Sequence, residues 1–157
     1  MVRRSCDVIV AGAALLGAAP VLAVAALAVR LSSPGPVLYR QQRIGYGGRP
    51  FSLYKCRTVR ASRTGQQVTA AGDERITPVG RLLRRWKIDE LPQLWNVLRG
   101  DMTLIGPRPE VERYVRQYTV KERPILGVRP GLAGRAPALY PHEPGLLRTA
   151  WGPEQFY

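Results

Sequence analysis

Two adjacent acids, Asp89 and Glu90, stand in the run IDELPQLWNVLRGDMTLIGPRPE (88–110) among a dense set of basic side chains. Arg81, Arg84, Arg85 and Lys87 come just before them, and Arg99 and Arg108 follow. Ionised carboxylates can act as nucleophiles or hold a divalent metal, and nearby cations keep them ionised while collecting phosphates. Most adjacent Asp–Glu pairs are only solvated surface, because acids are seldom buried. The cations around this pair favour the chemical reading.

The elements that must position these acids can be read from apolar spacing. Leu91, Leu94, Trp95 and Leu98 recur at helical intervals, with Pro92 tolerated in the first turn and Gly100 as a stop. This predicts a helix over about 89–99, with both acids at its N-terminus, where free N–H groups favour negative charge and phosphate. The plain alternative is that Asp89 only caps that helix. Thr77-Pro78 predicts the start of an earlier helix reaching about Lys87, with Val79, Leu82, Leu83 and Trp86 on one stripe and basic residues opposite. Such a helix suits a lipid surface or simply a solvated face. Two strands, over 36–45 and 49–59, are expected to form a hairpin through Tyr46-Gly47-Gly48. Alternation in the second strand sets Lys55 and Arg57 on one face, either aimed together at an anion or merely solvated. Met102–Ile105 predicts a short strand, and Gly106-Pro107-Arg108-Pro109 a rigid turn that presents Arg108. Residues 31–36 read as a turn-rich exit and 61–72 as a polar loop. The fold class is therefore α+β, mostly helical with a short β-hairpin.

The chain has 157 residues, enough for one domain with a core, and 24 Lys and Arg against 11 acids give a net charge of +13. That excess implies an anionic partner, whether nucleic acid, an anionic leaflet or a phosphorylated substrate. Cys6 and Cys56 make no disulfide framework and read as reduced thiols of a cytosol-facing protein.

From Val8 to Val29 no side chain is charged or strongly polar. As one helix this run is about 33 Å long, enough to cross a bilayer core. It could be a spanning helix, a signal peptide after Arg3-Arg4 (with a hint of a twin-arginine signal), or a re-entrant hairpin that dips into one leaflet and returns. Pro20 near its middle frees the carbonyl of Leu16, and positive charge flanks both ends, with Arg3 and Arg4 before and Arg30, Arg40 and Arg43 after. Spanning helices concentrate positive charge on the cytoplasmic side, so the balance favours the hairpin.

An ordered set of motifs then resembles the small monotopic phosphoglycosyl transferases of the bacterial sugar transferase family. It comprises Arg40-Gln41-Gln42-Arg43-Ile44-Gly45, Tyr54-Lys55-Cys56-Arg57-Thr58, Asp73-Glu74-Arg75-Ile76-Thr77, and the run from Asp89 to Leu98. Gly100-Asp101-Met102, Gly106-Pro107-Arg108-Pro109 and Val128-Arg129-Pro130-Gly131 complete it. The resemblance implies a re-entrant membrane helix broken at Pro20 over residues 1–30, and a compact cytosolic catalytic domain over 31–157. It implies transfer of a sugar 1-phosphate from a UDP-sugar to a polyprenyl phosphate on the cytoplasmic face of the bacterial inner membrane, with Mg2+ and release of UMP. Its catalytic and metal-holding pair falls on Asp89 and Glu90. Arg75, Arg108 and Arg129 are the expected phosphate contacts, with Lys55 and Arg57 behind them.

The sequence departs from the family pattern at Ala19, where a serine often precedes the hairpin proline, at Cys56, and at Ala133–Pro137. It stops at Tyr157, where relatives often continue, as a chain truncated at the C-terminus or a shortened member would. The favoured mechanism is covalent: Asp89 attacks the sugar-bearing phosphorus, and the polyprenyl phosphate then attacks the adduct. Direct transfer in a ternary complex is the alternative. Rivals from other classes are a membrane-tethered nucleic-acid binder, for which no binding motif is present, and an inactive membrane scaffold. Bacterial membrane lipids are expected partners and nucleic acid is not. His142, a lone loop histidine, is left without a role. Trp86, Trp95 and Trp151 read as core or interface anchors.

Overall fold

The computed structural model describes residues 2–60 and 73–134. The loop expected at 61–72, together with His142, Trp151 and everything from 135 onward, lies outside the described residues. The chain opens with helix α1 (Val2–Ser32), followed by strands β1 (Leu38–Ile44) and β2 (Pro50–Cys56) around a short turn at Tyr46–Gly48. Helix α2 (Pro78–Arg85), a 3-10 turn (Ile88–Glu90) and helix α3 (Gln93–Arg99) come next. Strand β3 (Thr103–Ile105), helix α4 (Glu112–Val115), a second 3-10 turn (Arg123–Gly127) and strand β4 (Gly131–Ala133) complete the described part. The architecture is mixed helix and strand.

The predicted hairpin is present: β1 and β2 are antiparallel, with Leu38 opposite Cys56 and Ile44 opposite Pro50. Strand β4 was not expected; it pairs parallel with β3, Thr103 opposite Gly131 and Ile105 opposite Ala133. A strand of three residues has too little alternation to be read from one chain. Its pairing brings the Val128–Gly131 segment beside the turn that carries Arg108, where the Gly131 N–H donates to Pro107 O at 2.8 Å.

Helix α1 is unbroken past Pro20, so the two helical halves expected on either side of that residue are one helix. At 31 residues it is about 46 Å long. Its inward stripe, Asp7, Ala11, Leu15, Ala18, Leu22, Ala25 and Val29, repeats every three or four residues. The first half of that stripe joins Leu53, Leu94, Val97 and Met102 in one core. The second half joins Cys56 and Leu83 in another. Outward, Ile9, Leu16, Val24, Leu27 and Leu31 are exposed, a far more apolar face than water favours.

Both ends of α1 are tied to the same body. Arg4 donates Nη1 to Val97 O and Nη2 to Leu98 O, satisfying carbonyls in the last turn of α3, while Arg3 donates to Ile105 O. Buried Asp7 accepts from Thr103 Oγ1 at 2.6 Å and from the Leu104 N–H at 3.3 Å. At the other end, Arg57 donates Nη2 to Ser33 O at 2.6 Å and Nη1 to Pro34 O at 2.7 Å.

Helix α2 starts as its sequence dictates. The Thr77 hydroxyl accepts from the Gly80 N–H at 2.9 Å, and Pro78 occupies the first helical position. It ends at Arg85, two residues before the expected stop, because Lys87 turns into the left-handed region at φ 56°. Its apolar stripe divides: Leu83 is buried, whereas Leu82 and Trp86 are exposed. Trp95 on α3 is exposed as well, so neither tryptophan is a core anchor.

Candidate active site

The structure moves the two acids off the helix end that the spacing assigned them. Asp89 and Glu90 occupy the 3-10 turn Ile88–Glu90, and Pro92, not Asp89, is the N-cap of α3. The left-handed Lys87 makes the sharp reversal between α2 and this turn. Lysine has no glycine-like freedom there, so the backbone stores about 1 kcal/mol next to the acids. The Glu90 N–H donates to Lys87 O and the Leu91 N–H to Ile88 O, both at 3.2 Å, closing the turn.

Glu90 is the hub of an ion-pair cluster. Lys55 Nζ, from the far end of β2, donates to Glu90 Oε1 at 2.9 Å, and Arg108 Nη2 stands 3.6 Å from the same oxygen. Burial works to raise Glu90, but Lys55, through charge and hydrogen bond, with Arg108 and Lys87, outweighs it and holds the carboxyl below its ordinary range. Burial lowers the Lys55 ammonium, against the pull of Glu90. For Lys55 burial outweighs the pairing, and for Glu90 the pairing outweighs burial, so both members of the pair shift downward.

Asp89 differs from its neighbour. It is 7% exposed, and its Oδ1 is buried with no hydrogen-bond partner among the described residues. Burial and the Glu90 charge push its pKa up, against Lys55, Arg84 and Lys87. A buried carboxylate oxygen without a donor is costly unless a ligand or cation completes it. Burial also pushes the neighbouring Cys56 thiol up to about 11, with Asp89 adding to the shift, so this sulfur is an inert wall of the site.

The frame around the acids is set by buried Asn96. Its Nδ2 donates to Ser52 O at 2.7 Å and Asp101 Oδ2 at 3.2 Å, and its Oδ1 accepts from the Tyr54 N–H at 3.2 Å. This bolts α3 to β2 one residue away from Lys55, fixing the distance from Lys55 to Glu90. The turn carrying Arg108 is stapled to β1: the Ile44 N–H donates to Glu110 O at 2.8 Å, and Arg43 Nη1 donates to Pro109 O at 3.0 Å.

The five expected phosphate contacts divide. Lys55 and Arg108 converge on Glu90. Arg75 binds the Asp73 carboxylate through Nε at 2.9 Å and Nη2 at 2.5 Å. Its guanidinium beside Asp73 holds that carboxyl down to about 2. Arg129 is exposed, its guanidinium 6.0 Å from the Tyr46 ring centroid. The Arg57 guanidinium is spent on the Ser33 and Pro34 carbonyls, so Lys55 and Arg57 do not aim together at one anion. The reason is that β2 ends at Cys56, and the alternation that paired them stops there.

Three contributors were missed from sequence. Arg84 stands in the sequence as one of the basic residues before the acid pair, Asn96 as part of the motif from Asp89 to Leu98, and Asp7 without a role. Only Asp7 carried a signal, an acid placed directly against a membrane-grade segment.

A magnesium ion would fit here. Asp89 Oδ1 is an oxygen lacking a partner, and Mg2+ commonly uses one or two carboxylates with water and substrate phosphates. Among the described residues no group of three acid, histidine or cysteine side chains forms a closed cage.

The chain is similar to known proteins of one family. Residues 1–143 match the family model described as bacterial sugar transferase. A UDP-glucose:undecaprenyl-phosphate glucose-1-phosphate transferase of Caulobacter vibrioides is 50% identical over 141 residues, covering 85% of this chain and 52% of that protein. The enzyme of the same name from Escherichia coli K12 is 43% identical, over 87% of this chain and 30% of its own length. A UDP-N-acetylgalactosamine-undecaprenyl-phosphate N-acetylgalactosaminephosphotransferase of Aeromonas hydrophila is 41% identical, over 88% and 34%. The chain thus spans about half or less of these relatives. With the match covering all the described residues and every element of the Asp89 cleft, the chain belongs to the bacterial sugar transferase family.

Proposed function

We propose that the chain transfers a sugar 1-phosphate from a UDP-sugar to a polyprenyl phosphate, giving a polyprenyl-diphosphate sugar and UMP. The names of its relatives support the substrate classes. The observation that carries the chemistry is the buried, partnerless Asp89 Oδ1 beside the Lys55–Glu90–Arg108 cluster.

In this reading an Asp89 oxygen forms a bond to the sugar-bearing phosphorus, and the bond from that phosphorus to the UMP oxygen breaks. A polyprenyl-phosphate oxygen then attacks the same phosphorus and frees the Asp89 carboxylate. Burial strips water from Asp89, and no hydrogen bond among the described residues ties up Oδ1. Lys55 and Arg108 neutralise phosphoryl oxygens, a task that dominates phosphoryl transfer. Glu90 holds those two cations in place. Mg2+, held by Asp89 and Glu90, would supply further charge neutralisation at the phosphates. Arg75 and Arg129 stand as outer phosphate contacts that substrate would have to recruit.

The membrane reading rests on α1. Its outward face is apolar along its length, and Arg3, Arg4 and Asp7 at one end and Ser33 and Pro34 at the other are all bound to one domain. A helix crossing the bilayer would carry one end away from that domain. Entry into a single leaflet from the cytoplasmic face of the bacterial inner membrane, next to membrane lipids and with no nucleic-acid partner, meets both facts.

The covalent route is tested by mixing protein and donor without lipid acceptor. A burst of UMP equal to the enzyme is expected; release only after the polyprenyl phosphate is added would leave direct transfer in a ternary complex.

A further inference from the structure

Among the described residues, the buried side-chain atoms without a hydrogen-bond partner are Asp89 Oδ1, Gln93 Nε2, Gln41 Nε2 and Arg57 Nε. The first three belong to side chains set around the Lys55–Glu90 pair. Gln93 is 4% exposed and lies in the first turn of α3, a turn beyond Asp89 and Glu90 in the chain. It precedes Asn96 and Val97 by one turn, on the side of α3 that packs against β2. There Asn96 bonds Ser52 and Tyr54, the residue before Lys55. Gln41 reaches the same space from β1. It stands opposite Leu53, and Tyr39 opposite Lys55, so alternation sets Gln41, Leu53 and Lys55 on one face of the hairpin. Leu53 packs in the core with Leu94 and Val97, so that face is turned to α3. The sense of the Gln41 amide is fixed. Its Oε1 accepts from Arg43 Nε at 3.2 Å and Nη2 at 2.9 Å, and Arg43 Nη1 donates to Pro109 O, beside Arg108. Nε2 is therefore the end turned away from Arg43. Two buried amide donors without acceptors are costly unless a ligand oxygen completes them.

We propose that Gln41 and Gln93 bind the sugar of the donor, their Nε2 groups donating to its hydroxyl oxygens. An amide is uncharged and suits a neutral acceptor, whereas Lys55 and Arg108 already supply charge for the phosphoryl oxygens. The place of the amides in the cleft selects the sugar over the nucleotide. Attacking and leaving oxygens stand roughly in line at phosphorus, so UMP departs on the side away from Asp89. The sugar oxygen is a lateral substituent of the same phosphorus, which keeps the sugar beside the acid and its neighbours. The inference rests on the reading of Asp89 as the group that attacks the sugar-bearing phosphorus.

The test uses the full chain in lipid nanodiscs as wild type, Gln41→Met and Gln93→Met. The donor is the UDP-sugar that releases UMP fastest in a panel containing UDP-glucose and UDP-N-acetylgalactosamine. The readouts are kcat/KM for that donor, UDP affinity by calorimetry, and the melting temperature without ligand. Each variant should lose about tenfold in kcat/KM, the scale of one buried hydrogen bond, and keep wild-type affinity for UDP, which lacks the transferred sugar. Gln93→Met should melt no lower than wild type, because it removes an unpaired buried amide. A merely structural glutamine would lower the melting temperature and spare kcat/KM. Either folded variant with wild-type kcat/KM overturns the proposal. So does an equal loss of UDP affinity, which would put the amides on the nucleotide. Where a variant does not fold, mono-deoxy forms of the same UDP-sugar decide the matter on the wild-type chain: if all are turned over as well as the parent, no hydrogen bond to a sugar hydroxyl exists. A wild-type chain that releases no UMP from any UDP-sugar would instead overturn the phosphoryl-transfer reading itself.

Discussion

Asp89 and Glu90 are neighbours in the chain and opposites in environment. Glu90 is surrounded by donors, while Asp89 holds a buried oxygen with none among the described residues. A raised folded-state pKa means that ionising Asp89 opposes folding. Its contribution is most favourable below the ordinary carboxylate range and is lost as pH rises through the raised value. Asp89→Asn is therefore expected to abolish transfer, by on the order of a thousandfold, while raising the melting temperature at neutral pH in chelator. The gain should disappear toward pH 4, the ordinary range of the acid. Calorimetry across pH checks this, and equal melting temperatures at all pH values would contradict it. Lys55→Met should do the reverse, lowering stability by roughly 3 kcal/mol because it leaves Glu90 buried with one distant cation. Chemical denaturation at pH 7 measures that loss.

At the scale of elements, the site depends on joints between short pieces. Asn96 joins α3 to β2 through two side-chain hydrogen bonds and ties back to Asp101 through a third. Asn96→Ala is expected to cost about 2–4 kcal/mol, since it strands the Tyr54 N–H and Ser52 carbonyl. Activity should fall further than stability in that variant, because the distance from Lys55 to Glu90 is no longer fixed; transfer assays at a temperature well below melting separate the two. The α2-to-turn reversal makes a contrasting prediction. Lys87→Gly at φ 56° should stabilise the fold by about 0.5–1 kcal/mol, because glycine enters the left-handed region without a Cβ penalty. A denaturant midpoint that falls instead would show that the Lys87 charge near Asp89 outweighs the backbone term. Much at this scale was legible beforehand. Thr77-Pro78 announced α2, Tyr46-Gly47-Gly48 the hairpin, and Gly100, at φ 93°, the end of α3. The misjudged boundaries, at Arg85 and Ile88, fall where a lysine adopts a conformation that its side chain disfavours.

At the scale of the whole molecule, α1 and the body that carries Asp89 share their cores. The apolar outer face of α1 and the ties at both its ends predict that Cys6 and that body lie on the same side of the membrane. Cys6 is exposed and Cys56 buried, so a membrane-impermeant maleimide reports on Cys6 alone. In vesicles of known orientation, Cys6 should label from the same side as a cysteine placed at exposed Glu74. Labelling from opposite sides would mean that α1 spans the bilayer. Asp7 gives an independent check: Asp7→Ala removes the acceptor for Thr103 and Leu104 and should loosen α1 from β3, lowering stability by about 1–3 kcal/mol.

What the chain's order of residues settled alone was local: the apolar length of α1, the caps of α2, the hairpin, and the acid pair in basic company. Each follows from spacing within a few residues, where backbone geometry and side-chain periodicity leave few choices. Which cation meets which anion was decided only by the tertiary packing. Lys55 reaches Glu90 across 35 residues, Asp7 meets Thr103 across 96, and Arg57 turns back to Ser33 across 24. Charges of one type are interchangeable along a sequence; burial and the partners that packing brings within reach make them different.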